Sequence, residues 1–145
     1  MIPLPTWMRR ALFAAAAMNV LAAAGFLPAA GPLRAAAGFP EDAHPFYLLT
    51  VGMFVVLFGI GYLWTALVGH ADRLFIALAA AGKLSFFALL VHLWSAGALP
   101  IRAPVMGSGD LVFGTIFVAW LLTARAHTAG QYGARAALPA EQVRG

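Results

Sequence analysis

The chain has 145 residues, 63% of them hydrophobic and only 10% charged, with a net charge of +4. Soluble domains carry about 45–50% apolar and about 25% charged residues. A mean hydropathy of +0.88 excludes an ordinary water-soluble globule, because a domain this small cannot hide so much apolar surface. With no cysteine, disulfides, thiolate nucleophiles, iron–sulfur clusters and Cys-ligated zinc are excluded too. Apart from Lys83, the basic residues lie at helix ends and tails, with no run longer than Arg9-Arg10. That pattern sets topology and meets anionic headgroups; it does not build a nucleic-acid surface.

A spanning helix needs about 20 mostly apolar residues. Four stretches supply them, at about 11–28, 46–68, 74–97 and 108–124. The expectation is an all-α integral membrane four-helix bundle over residues 1–128, with short loops and a flexible cytoplasmic tail over 129–145. The first stretch follows Arg9-Arg10 and is rich in alanine. A rival reading makes residues 1–37 a cleaved leader ending near Ala35-Ala36-Ala37. Against it, the apolar run of about 18 residues exceeds the usual h-region of about 7–15. Pro32 and Arg34 also sit awkwardly beside any cleavage point.

The joints between stretches carry their own signals. Pro45 after His44 suits the first turn of the second helix. Asp72 is placed to cap the third. Pro100 and Pro104 stop that helix and keep the following loop extended. Ser108 reads as the cap of the fourth helix, with Asp110 in its first turn. Outside the spans, six Lys/Arg (Arg9, Arg10, Arg73, Arg125, Arg135, Arg144) fall on one side and two (Arg34, Arg102) on the other. The positive-inside rule then puts both termini in the cytoplasm. In a bacterial cell this is a multi-pass protein of the inner membrane.

Ionisable residues inside apolar spans are the functional leads, because charge in hydrocarbon is costly. Lys83 lies about nine residues into the third stretch, roughly 13 Å from its inner end, and its side chain is expected to lean toward the cytoplasm. Depth arithmetic sets Asn19, Tyr62 and Thr65 in the same layer and no carboxylate with them. Lys83 is therefore expected to bond neutral groups, and with Asn19, Tyr62 and Thr65 it forms a candidate ligand-binding set. His92 and Asp110 form a second candidate, a polar pair on the outer side. Lys83 and His92 are nine residues apart, half a turn round the helix, so they serve different faces. His44 and His92 lack any spacing signature for haem, and no metal ligand set is expected. Trp7, Trp64, Trp94 and Trp120 suit the interfacial belt. The glycines Gly52, Gly59, Gly61 and Gly114, with the alanines of the first helix, suit close packing.

Gly82-Lys83 in the third helix and Gly109-Asp110-Leu111-Val112-Phe113-Gly114 at the start of the fourth resemble small bacterial membrane proteins of the broad DoxX-like group. The resemblance implies a four-helix bundle and an association with quinone-linked oxidoreductases. The expected function is a non-catalytic subunit, or a lipid- or quinone-binding component, of a membrane complex. Membrane lipid, a protein partner or a second copy are the expected partners, with no nucleic acid and quinone as the candidate cofactor. A small proton-coupled transporter is a further alternative, weakened because the first helix holds no carboxylate. Hydrolysis and nucleotide binding are disfavoured: no serine has His–acid support, and no Gly-rich phosphate loop is present.

Overall fold

The computed structural model describes residues 1–136, with side chains described as far as Ala124. A two-residue strand β1 (Ile2–Pro3) leads into α1 (Thr6–Ala24). A 3₁₀ turn (Pro28–Ala30) and a short helix α2 (Gly31–Ala37) follow, then α3 (Pro45–Val68). Strand β2 (His70–Ala71) precedes α4 (Arg73–Ser95), and the short α5 (Arg102–Met106) precedes α6 (Ser108–Ala136).

The local chemistry explains most boundaries. Pro45 opens α3, and the His44 Nδ1 accepts the Phe46 amide at 3.2 Å. The Asp72 carboxylate caps α4 by accepting the amides of Leu74 (2.7 Å) and Phe75 (3.3 Å). Gly69 ends α3 at φ +74°, a left-handed conformation that glycine adopts without a Cβ penalty. Other joints differ from expectation. The first helix starts at Thr6 rather than near Ala11, because Pro5 immediately precedes it and Arg9-Arg10 fit within its opening turns. The connections expected as plain loops at 29–45 and 98–107 each contain a short helix. Ser108 is the first residue of α6 rather than its cap. Helix α6 also continues to Ala136, into the expected tail, on Ala-rich sequence. The rest of that tail, residues 137–145, lies outside the described residues.

Each long helix buries one stripe. On α1 it is Met8, Leu12, Ala15, Ala16 and Asn19, at helical spacing. Small residues set the approach distances. A Cβ on Gly59 would meet Asn19 Cβ at 3.2 Å, and one on Gly114 would meet Leu84 Cδ2 at 2.7 Å. Close backbone approach of this kind is how helices associate where water gives no hydrophobic drive. Helices α1 and α3 run antiparallel: Arg9 Nε donates to the Ala66 carbonyl (3.0 Å) near one end, and Phe26 packs on Gly52 near the other. Helices α4 and α6 form a second antiparallel pair, joined to the first through α1 and α6. On the α3–α4 side, Phe58, Tyr62 and Phe75 close the gap with ring centroids 5.9–6.4 Å apart.

Helices α3 and α4 are long and apolar enough to cross a membrane. A third span is available if α1 and the segment Pro28–Ala37, bent by 88°, count as one. The apolar part of α6, Ser108–Ala124, is shorter. Trp64 and Trp94 are exposed, as the interfacial reading asks, but Trp120 is not: it is only 2% exposed and belongs to the core with Phe117. Its place on the stripe Phe117, Trp120, Ala124 turns it inward.

Candidate functional site

The four long helices converge on one ammonium. Lys83 of α4 is 6% exposed, and its Nζ donates to Asp110 Oδ1 of α6 at 2.7 Å and to Asn19 Oδ1 of α1 at 3.1 Å. The Asn19 amide nitrogen donates in turn to the Val55 carbonyl of α3 at 3.0 Å. The Tyr62 ring lies 5.5 Å and the Phe113 ring 5.9 Å from Nζ, within reach of cation–π attraction. Tyr62 itself is wedged against Phe117 at 5.6 Å.

Sequence reasoning set Lys83, Asn19 and Tyr62 in one layer, and the structure brings these three together. Thr65 does not join them: its hydroxyl donates to the Gly61 carbonyl one turn back, at 2.7 Å. The expectation that no carboxylate shares this layer is corrected by Asp110. Gly107 packs on Leu90 and Gly114 on Leu84, so α6 begins well below the end of α4. This register leaves Asp110 about one turn nearer the α5 end than Lys83. The ammonium therefore reaches toward the α5 end to meet it, opposite to the expected lean toward the α4 N-terminus. The expected His92–Asp110 pair gives way for the same reason. His92 sits half a turn round α4 from Lys83 and is exposed, while Asp110 faces Lys83.

The buried pair is a specificity device more than a source of stability. Desolvating two charges costs several kcal/mol per ion, and the mutual attraction repays this only when the remaining donors and acceptors are bonded. Here Asn19 supplies that bond, and Asp110 keeps 20% exposure. The arrangement fixes the register of α6 against α4 and of both against α1. Chemically it holds a positive charge in an aromatic-walled, largely dry layer. Among the described residues, no group of three or more His, Asp or Glu is placed to hold a metal.

A second buried cation escaped the sequence reading. Arg34, counted in the sequence among the outer-side charges, is only 7% exposed. Its Nη1 donates to the carbonyls of Gly25 (3.0 Å) and Leu27 (2.8 Å), its Nη2 to Glu41 (2.8 Å) and its Nε to Pro40 (3.4 Å). One guanidinium thus gathers the end of α1 and the start of the approach to α3. The carbonyls left open past a helix C-terminus need donors, and a planar fork of five N–H groups can reach several at once. Nothing in the local spacing signals this role, since the four acceptors are main-chain atoms.

No known protein family, curated protein or solved structure matches the chain.

Proposed function

We propose that this chain is a small multi-pass protein of a bacterial inner membrane, with four spans and both termini in the cytoplasm. In this reading it is a non-catalytic component of a membrane complex, in contact with lipid or quinone. One observation carries it: the polar groups Lys83, Asn19 and Asp110 satisfy one another, while the outside of α3 is a field of large apolar side chains. Phe46, Tyr47, Phe54, Ile60, Trp64 and Leu67 are each more than half exposed. Contiguous apolar surface on that scale belongs against lipid or a partner helix. The Lys83 ammonium already has its hydrogen-bonding and charge partners within the chain, and needs no ligand to complete it. Native mass spectrometry of the protein extracted gently from its own membranes tests this. A discrete partner protein is the expected result. A bare chain that drives substrate uptake in proteoliposomes would sink the proposal.

A second reading is a DoxX-like component of a quinone-linked oxidoreductase. It is favoured by the meeting of the two motifs on which the resemblance rests: the lysine of Gly82-Lys83 and the aspartate of Gly109-Asp110 are bonded to each other. With Asp110 partly exposed and two rings beside Nζ, the layer offers a cation and aromatic walls to a quinone carbonyl. Lys83→Met abolishes quinone binding on this reading; unchanged binding discards it.

A further inference from the structure

At the end of the molecule far from Asp110, β1 pairs antiparallel with β2, Ile2 opposite Ala71 and Pro3 opposite His70. The Leu4 amide adds a bond to the Gly69 carbonyl at 2.9 Å. This clasp leaves a cleft of about 530 Å³ between the first residues and α6, with Trp7 on one wall and Trp120 and Thr123 on the other. Among the described residues, no charged side chain lines it. Its surroundings are basic. Arg10 stands three residues after Trp7 and so on the same face of α1. His70 is paired with the cleft-lining Pro3, and Arg73 opens α4 just beyond. Arg9 is exposed and anchored through Nε to the Ala66 carbonyl. Among the described residues the acid nearest in sequence, Asp72, is occupied in capping α4.

We infer that this cleft binds one acyl chain of an anionic phospholipid, with Arg10 and Arg73 holding its headgroup phosphate. A largely apolar slot walled by tryptophan, with Arg10 on the Trp7 face of α1 and Arg73 just past the β2 pairing, matches an amphiphile with an apolar tail and a negative head. Tryptophan favours the headgroup level, and each basic residue near an anionic surface strengthens attachment. A zwitterionic lipid presents the same chains without the net charge, so the two are separable. The inference rests only on the chain spanning a membrane, not on its having a protein partner.

The four tryptophans of the chain provide the test. Trp64 and Trp94 are lipid-facing at 70% and 43% exposure, and Trp64→Phe with Trp94→Phe leaves the two cleft tryptophans as reporters. The full-length protein is placed in phosphatidylcholine vesicles containing rising fractions of brominated phosphatidylglycerol or brominated phosphatidylcholine. The brominated anionic lipid is expected to reach half-maximal quenching at a clearly lower mole fraction. Arg10→Gln and Arg73→Gln should each weaken that preference by about fivefold, the effect of one basic residue at the surface. Identical curves for the two headgroups overturn the site. So does a preference that survives both substitutions in a protein whose circular dichroism is unchanged. The measurement uses the purified chain, so its failure would leave the subunit reading untouched.

Discussion

Lys83 and Asp110 stand 27 positions apart in sequence, on different helices, yet their charged atoms lie 2.7 Å apart. The loop between them does not hang outside. It folds through α5, and α6 starts level with Leu90, more than a turn below the end of α4. Removing one member leaves a buried charge unpaired, which costs about 3–5 kcal/mol in pairs of this kind. Lys83→Met and Asp110→Leu should each destabilise the protein toward the lower end of that range, because Asp110 is partly exposed. The double variant should recover most of the loss. Unfolding in mixed detergent micelles gives the double-mutant cycle, and strictly additive losses would show that the pair is not coupled.

The guanidinium of Arg34 predicts a different phenotype, local rather than global. Arg34→Lys keeps the charge but replaces a planar fork by a single ammonium, which cannot reach the carbonyls of residues 25, 27, 40 and 41 together. The segment between α1 and α3 should then open. Limited proteolysis should cut the variant between residues 25 and 44 much faster than the parent, with the melting of the helices little changed. Equal cutting rates would mean that the connector holds without its arginine.

Gly114 tests the packing of α4 on α6. A methyl there would stand 2.7 Å from both Leu84 Cδ2 and Cγ, and 3.5 Å from the Leu84 amide nitrogen. The leucine side chain can move, but the backbone behind it limits how far. Gly114→Ala should cost about 1–3 kcal/mol by overpacking, and Gly114→Val more. If the layer around Lys83 is displaced as well, Leu84→Ala should rescue Gly114→Ala in the same assay.

Because the sequence contains no cysteine, any introduced thiol is unique. Glu41→Cys and His70→Cys lie on exposed positions at opposite ends of α3. On the proposed orientation, with both termini in the cytoplasm, a membrane-impermeant maleimide labels the first in intact cells and the second only after permeabilisation. The reverse pattern would invert the proposed orientation.

Composition and hydropathy made it plain that α3 and α4 are helices long and apolar enough to cross a membrane, since their apolar runs admit few other readings. Caps were legible for the same local reason: Asp72 and Pro45 act within one turn of their own position. The facing of the helices was not. All-apolar helices have little amphipathic contrast, so the inward turn of Trp120 could not be separated from an interfacial role. Asp110 illustrates the larger gap. Counting residues from span ends assumes that connected helices end level, and α5 breaks that assumption by folding back between them. The half-turn between Lys83 and His92 was legible, and it sets the two side chains on opposite faces of α4. Arg34 was opaque because main-chain carbonyls leave no trace in composition.

The clasp between residues 2–3 and 70–71 has a consequence for biogenesis. At about 5–20 residues per second, the ribosome takes several seconds to pass from one partner to the other. Until Ala71 emerges, the opening strand has nothing to pair with, and Leu4 has no Gly69 carbonyl to bond. Residues 2–4 are thus made well before the segment that secures them, so the leading edge of α1 stays undone until Ala71 has emerged. A bulky handle fused ahead of Met1 would act on that late closing step, and slow maturation of such a fusion would be its mark.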